Sequence, residues 1–130
     1  MRIIDSSAWI EYYRRDGNMY ISDLVEDAIN RDIAAVNGLI TVEVAGFARE
    51  SERSIIESDF SGLHSITMTD EIFKKAVSIC SELRKNGTIL PATDAIIAGS
   101  ALIEEAAVIH LDRHYEQIAE YFPLRTLTAE

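Results

Sequence analysis

The sequence has few of the residues on which small secreted and membrane proteins depend. Only one of its 130 residues is cysteine and two are proline. The single cysteine, Cys80, excludes an intrachain disulfide and a cysteine zinc cluster, and its amphipathic surroundings predict a buried apolar side chain. No apolar run approaches the roughly 18 residues of a membrane span, and an acid at position 5 interrupts any signal-peptide core. We therefore expect a cytoplasmic protein that does not contact a membrane.

Positive charge is also scarce. The chain carries 12 Lys and Arg against 22 Asp and Glu, a formal net charge of −10. This balance argues against a broad basic surface for duplex nucleic acid, although a local contact or a metal-mediated contact stays open. Hydrophobic residues make up 48% of the chain, which excludes a disordered protein. No linker or repeat interrupts the sequence, so residues 1–130 are expected to form a single domain.

Short apolar segments alternate with amphipathic ones along the chain. The pattern predicts strands over residues 2–5, 33–36, 64–68, 107–111 and 124–127. It predicts helices from a cap at Ser6 or Ser7 to 16–18, then over 22–31, from 41, and over 51–60, 69–86, 91–105 and 115–121. Such alternation is typical of an α/β fold with a mainly parallel sheet. Ligands of these sheets bind outside the carboxyl ends of the strands, which is where we look for chemistry.

Four acids stand at positions that this fold would bring together. Asp5 and Asp112 follow predicted strands, whereas Glu43 and Asp94 fall in the first turns of predicted helices. The helix dipole alone could explain the last two, but each is followed by an apolar stretch rather than a solvated one. The gaps between successive acids are 38, 51 and 18 residues, too wide for a local loop site. Only the tertiary fold could cluster them.

Clustered carboxylates repel one another unless a cation neutralises them. Ligand sets made only of oxygen suit Mg²⁺ or Mn²⁺ better than zinc. A divalent ion in such a site activates water and neutralises charge on a phosphate, which suits phosphoryl chemistry.

Four segments of the chain resemble, in order, the motifs of PIN-domain ribonucleases, particularly the VapC toxins of VapBC toxin–antitoxin pairs. The segments are Ile3–Ile10, Thr41–Val44, Pro91–Ala98 and His110–Tyr115. The first resembles the family's apolar strand followed by an acid, a small residue, then Ser or Thr, and a helix. The last departs from the family pattern, because relatives often carry a second acid where this chain has His114.

The resemblance implies a PIN-like α/β/α sandwich with four to five mainly parallel strands. It implies that Asp5, Glu43, Asp94 and Asp112 are catalytic acids that bind Mg²⁺ or Mn²⁺. It further implies endoribonucleolytic cleavage of RNA, homodimerisation and inhibition by a cognate antitoxin protein.

Other residues have more than one interpretation. Ser7 is either a plain helix cap or a residue that holds a metal ligand or a metal-bound water. His114 is expected at the surface or facing RNA rather than on the metal, and His64 and His110 are expected to be structural. The aromatic residues Trp9, Tyr12 and Tyr13 belong to the core or to a dimer surface. Arg113, Arg14 and Arg15 would guide the RNA backbone if they surround the acids.

Three alternative functions were compared with this one. A phosphatase of the haloacid dehalogenase class needs an Asp two residues after the first, where this chain has Ser7. A receiver domain needs a late lysine, but the last lysine, Lys85, precedes Asp94. A catalytically silent PIN fold acting as a protein-interaction module stays open as the alternative.

Overall fold

Five short strands form the centre of the computed structural model, which describes residues 1–129. They are β1 (Arg2–Ile4), β2 (Ala34–Asn37), β3 (His64–Ile66), β4 (Ala107–His110) and β5 (Thr126–Thr128). All neighbouring strands are parallel, in the order β3-β2-β1-β4-β5. Ile3 of β1 lies opposite Ala35 of β2 and Val108 of β4. The predicted α/β class with a mainly parallel sheet is confirmed.

Seven helices lie within the same described range. They are α1 (Ser6–Tyr13), α2 (Met19–Asn30), α3 (Gly38–Ala45), α4 (Glu50–Ser61), α5 (Asp70–Lys85), α6 (Ala92–Ile103) and α7 (Arg113–Ala119). Every residue of β2 and β4 is buried, so the helices cover both faces of the sheet, as a parallel sheet requires. None of these helices combines the length and the apolar character needed to cross a membrane.

The core is built from the central strands and the helix faces that cover them. Trp9 and Tyr115 are the largest fully buried side chains. Trp9 therefore belongs to the core and is excluded from a dimer surface. Tyr12 and Tyr13 are half-buried, and their hydroxyls donate to Glu26 and Asp59. Cys80 is half-buried against the core rather than fully buried as predicted.

Three helices are capped by other residues than predicted, and they begin at other positions. Asp5, not Ser6 or Ser7, caps α1 by accepting from the backbone N–H of Ser7. Asn18 caps α2, which begins at residue 19 rather than 22, and Asn37 caps α3, which begins at residue 38 rather than 41. The predicted starts of α2 and α3 are wrong because Asn18 and Asn37, although typical of turns, are also strong N-caps that start the helices earlier.

The second half of the chain follows the prediction more closely. The long helix α5 is capped by Thr69 and ends at Asn86, before Gly87 with φ 88°, as expected. Helix α7 starts at residue 113 rather than 115, and β5 covers 126–128 rather than 124–127. Gly99 of α6 packs closely on α5, where a Cβ at this position would lie 3.0 Å from the carbonyl oxygen of Ile72. Helices α5 and α6 can approach this closely because position 99 has no side chain.

Candidate metal centre

Asp5 lies directly after β1, at the carboxyl edge of the sheet, and is 2% exposed. One carboxylate oxygen, Oδ2, accepts from the backbone N–H of Ser7 at 3.1 Å and from its hydroxyl at 2.6 Å. The other, Oδ1, accepts from the Tyr115 hydroxyl at 2.6 Å. These donors hold the carboxylate in one orientation and stabilise its negative charge.

Ser7 connects the ends of the two central strands. Its hydroxyl donates to Asp5 and accepts from the backbone N–H of Leu111, just beyond β4, at 3.0 Å. Of the two interpretations of Ser7, the structure does not support the plain helix cap, since Asp5 is the capping residue. Both hydrogen-bonding functions of the Ser7 hydroxyl are used within the protein, and they position Asp5.

Glu43 lies in the second turn of α3 rather than in the first turn as predicted, because the helix starts at Gly38. The helix dipole therefore does not explain its position, since that effect is confined to the first turn. Its Oε1 atom is buried and has no hydrogen-bond partner among residues 1–129. Burial, and secondarily the charge of Asp5, raises the pKa of Glu43. An unpartnered buried carboxylate oxygen is costly unless something outside the protein satisfies it.

Asp94 lies in the first turn of α6, as predicted, and is 8% exposed. Burial raises its pKa from 3.8 to about 6, against a lowering effect of the His114 hydrogen bond. The charges of Asp112 and Asp5 raise this pKa further. The charge of Asp5 thus acts on both Glu43 and Asp94, and that of Asp112 acts on Asp94, so the four predicted acids influence one another electrostatically. We call them the acidic cluster.

Asp112 caps α7, and its Oδ1 accepts from the backbone N–H of His114 at 3.0 Å. The imidazole of His114 lies inside the acidic cluster, with its Nδ1 2.7 Å from Oδ2 of Asp94 and 2.9 Å from Oδ1 of Asp112. The expectation that His114 lies at the surface or faces RNA stays a prediction, since its side chain is 22% exposed. Its departure from the family pattern, in which relatives often carry an acid at this position, was the signal that could have placed it here.

Two further residues form hydrogen bonds with acids of the cluster. Tyr115 is fully buried, and both its burial and the nearby charge of Asp5 raise its pKa well above the ordinary value. The sequence pattern did not identify Tyr115 as a site residue, although it is the last residue of the fourth motif. His110 is buried, accepts from the backbone N–H of Asp112 at 3.1 Å, and lies 2.9 Å from Glu116. His110 is structural, as predicted.

The donor set fits a hard divalent cation. The four acids supply only oxygen ligands, one of their oxygens is buried without a partner, and no Lys or Arg of the described residues pairs with any of them. Asp94, Asp112 and His114 each offer one ligand atom within 4.8 Å of the others. Mg²⁺ and Mn²⁺ prefer such oxygen-rich surroundings.

A groove of about 500 Å³ extends from Glu43 between α1, α3 and the start of α4. The arginines Arg14, Arg15 and Arg49 line it, together with apolar side chains such as Phe47, which is 86% exposed. The structure thus brings two of the three predicted RNA-contacting arginines to one groove beside an acid of the cluster. Arg113 is exposed at the start of α7, next to Asp112.

Known proteins are similar to this chain in both sequence and fold. The PIN-domain family model matches residues 2–121. A VapC ribonuclease of Mycobacterium bovis, Mb1587, is 30% identical over 125 residues, which cover 92% of each chain. VapBC2 of Rickettsia felis, solved bound to a DNA fragment from its promoter, superposes with a TM-score of 0.76 at 16% identity, covering 99% and 98% of the two chains. VapBC-5 of Mycobacterium tuberculosis, a member of the VapBC family of toxin–antitoxin systems, gives 0.66 at 14% identity, covering 98% and 97%. These likenesses confirm the PIN-like α/β/α fold.

Proposed function

Because the chain belongs to the PIN-domain family, we propose that it is a metal-dependent endoribonuclease and the toxin of a VapBC-type toxin–antitoxin pair. We treat residues 1–130 as one PIN domain. The observation that carries the proposal is the cluster of four acids at the carboxyl edge of the sheet, which no Lys or Arg of the described residues neutralises. Retention of all four acids argues against the alternative, a catalytically silent PIN fold that acts only as an interaction module.

Asp5, Glu43, Asp94 and Asp112 would hold Mg²⁺ or Mn²⁺. When bound, such an ion activates water and neutralises charge on the scissile phosphate. The chain's own contribution is to fix the ligands. Tyr115 and Ser7 orient the carboxylate of Asp5, and the backbone N–H of His114 orients that of Asp112. Hydrogen bonds of this kind to liganding carboxylates tune metal affinity.

RNA would be the substrate, and its backbone would be contacted by a few local cations. Arg14, Arg15 and Arg49 share the groove that begins at Glu43, and Arg113 is exposed at the start of α7, next to Asp112. With a net charge of −10, the rest of the protein would repel phosphate, so these arginines and the bound metal would have to supply the attraction.

Cleavage of RNA with and without Mn²⁺, with mapped ends, tests this function. We expect metal-dependent cuts by the wild-type protein and none by Asp94→Asn, whose amide can still accept the His114 hydrogen bond. The control variant is Asp23→Asn, which removes an exposed acid of α2 and should cleave normally. Cleavage by Asp94→Asn at the wild-type rate would contradict the assignment. A wild-type protein whose stability shows no response to either ion would favour the silent fold.

We propose a short antitoxin as the main protein partner. An arginine of that partner could pair with the acids in place of the metal, since guanidinium binds carboxylates through two parallel hydrogen bonds. Replacing both Asp94 and Asp112 by Asn should then weaken the complex, as measured by titration calorimetry. Equal binding by that double variant would contradict the arginine contact.

We also propose that the protein forms a homodimer through the outer face of α5. Phe73 and Val77 are 45% and 69% exposed there, and with Ile96 of α6 they line an apolar depression. The ends of α5 carry opposite charges, Asp70 and Glu71 in the first turn and Arg84 and Lys85 in the last. A second copy packed antiparallel across a two-fold axis would place each acidic end against a basic end, so the face is complementary to itself.

Sedimentation at micromolar concentration tests the dimer. We expect the wild-type protein to sediment as a dimer and Val77→Glu as a monomer. Met19→Glu, at an exposed apolar position of α2, should remain a dimer. A wild-type monomer, or a dimer unaffected by Val77→Glu, would contradict this surface.

A further inference from the structure

His114 distinguishes this cluster from a purely acidic one, and we propose that it is a nitrogen ligand of the divalent ion that favours Mn²⁺ over Mg²⁺. The inference rests on the proposed metal site and adds a ligand to it. It concerns the position at which this chain departs from the family pattern.

The spacing of the donor atoms supports direct ligation. Nδ1 of His114 lies 2.7 Å from Oδ2 of Asp94 and 2.9 Å from Oδ1 of Asp112. Adjacent ligands of a six-coordinate ion with bonds of about 2.1 Å are roughly 3 Å apart, by octahedral geometry. The two distances from Nδ1 are therefore close to those between neighbouring ligands, and all three donor atoms lie within 4.8 Å of one another. A small outward movement of these side chains would admit an ion between them.

A backbone hydrogen bond positions His114, and its side chain is partly exposed. The N–H of His114 donates to the Asp112 carboxylate, which anchors the residue in the first turn of α7. Its side chain is 22% exposed, so the cluster stays open to solvent on this side. Among the described residues, only Nδ1 of the ring has hydrogen-bond partners. In the metal-free protein Nδ1 donates to the Asp94 carboxylate. When an ion binds, the ring proton can reside on Nε2, which leaves the Nδ1 lone pair for the metal.

A nitrogen ligand changes which ion the site prefers. Mg²⁺ binds mainly oxygen and retains its waters, whereas transition ions also accept imidazole readily. An acid at position 114 would instead complete an all-oxygen set. His114→Asp should therefore lower the ratio of Mn²⁺ to Mg²⁺ affinity, by about tenfold if replacing a ligand changes affinity at least as much as replacing a partner of a ligand does.

In an alternative arrangement, a protonated His114 neutralises Asp94 and Asp112 in the absence of metal, and its imidazole moves out of the cluster when the ion binds. In that case the ion would have no bond to nitrogen, and His114→Asn would bind both ions at least as tightly as the wild-type protein. This alternative predicts no change in the preference between the two ions.

Pulsed electron paramagnetic resonance of Mn²⁺ bound to the whole protein separates these outcomes. The chain has three histidines, so labelling them with ¹⁵N changes the nuclear modulation only if an imidazole binds the ion. We expect an isotope-sensitive nitrogen signal in the wild-type protein and in His64→Asn, but none in His114→Asn. Absence of that signal from wild-type protein with bound Mn²⁺ would overturn the role of His114.

Titration calorimetry with Mn²⁺ and with Mg²⁺ gives the second measurement. A Mn²⁺ preference lost in His114→Asp supports the inference, and an unchanged preference overturns it. Failure of the proposed function would look different, because the wild-type protein would then bind neither ion and His114 would have no metal to select. If His114→Asp does not fold, the isotope measurement on wild-type protein still decides the question.

Discussion

At the scale of single residues, the four acids of the cluster differ in how they are supported. Asp5 accepts hydrogen bonds from Tyr115 and Ser7, whereas Glu43 has a buried oxygen without a partner among the described residues. The sequence alone singled out all four acids, because Asp5 and Asp112 follow predicted strands and apolar stretches follow Glu43 and Asp94, and their roles stay predictions. It could not identify Tyr115 or His114 as their partners, since those contacts depend on how α7 returns to the sheet.

Replacement of Asp5 by Asn should abolish metal-dependent cleavage and also destabilise the protein. The amide nitrogen of the new Asn would replace one of the two carboxylate oxygens of Asp5. Either the Tyr115 hydroxyl or Ser7, which now donate to those oxygens, would then lose its acceptor. An unsatisfied buried donor costs about 1–3 kcal/mol, more than relief of repulsion between carboxylates would return. Urea unfolding without metal measures the change, and an Asp5→Asn protein as stable as wild type would contradict it.

Asp94 should make the metal-free protein less stable as the pH rises. Its pKa is about 6 in the folded protein and 3.8 ordinarily, so between these values the folded state binds more protons than the unfolded state. Stability therefore falls with rising pH through this window and stays low above it. Asp94→Asn should be more stable than wild type by about 1–3 kcal/mol at pH 7, and equally stable below pH 4. Denaturation in EDTA across this range measures the difference, and a gap independent of pH would count against the raised pKa.

At the scale of helices and strands, the Asn37 cap helps to position the two helices that carry Glu43 and Asp94. Asn37 ends β2 and caps α3 by accepting from the backbone N–H of Ile40 at 2.9 Å. Its amide also donates to the Ser100 hydroxyl of α6 at 3.3 Å, joining the helix of Glu43 to the helix of Asp94. Periodicity predicted that each helix exists, but the starts were misplaced because one asparagine can serve both a turn and a cap.

Asn37→Ala should cost about 2 kcal/mol, since it removes a cap and leaves a buried N–H without an acceptor. It should also weaken Mn²⁺ binding, because the helices that carry Glu43 and Asp94 would lose the hydrogen bond that fixes their relative position. Asn18→Ala is the matched control, as it removes the cap of α2, a helix that carries none of the four acids. Urea unfolding and metal titration should show a stability loss in both variants but a loss of metal affinity only in Asn37→Ala.

Gly99→Val should separate α5 from α6. A Cβ at position 99 would lie 3.0 Å from the Ile72 carbonyl oxygen and 3.3 Å from the Ala76 nitrogen, both backbone atoms. We expect a loss of about 1–3 kcal/mol from overpacking. Gly62→Ala is the comparison, since its Cβ would approach no atom closer than 3.6 Å. Equal thermal stability of the two variants would show that α5 can move away freely.

At the scale of the whole molecule, an acidic protein is proposed to bind an acidic polymer. The net charge of −10 leaves the arginines near the cluster and the bound ion as the sources of attraction. Composition and alternation predicted the fold class, but not the strand order β3-β2-β1-β4-β5, because pairing between distant strands leaves no local pattern.

EDTA should therefore remove most RNA affinity as well as turnover, because uncompensated carboxylates repel phosphate. With metal bound, the affinity for a non-cleavable RNA should fall only gently with salt, since few side-chain cations displace counterions. Fluorescence anisotropy measures both effects. Tight binding in EDTA with a steep salt dependence would show that a basic surface elsewhere binds the RNA.

The hydrogen bond between Tyr115 and Asp5 joins residues 110 positions apart, and the bond between Ser7 and Leu111 spans 104. During translation, Asp5 leaves the ribosome early but lacks its partners until the region around residue 115 has followed. Loops of this length close late, after local helices have formed. A nascent chain therefore carries no assembled cluster until the region around residue 115 has emerged and folded, and we expect ribonuclease activity only after that step.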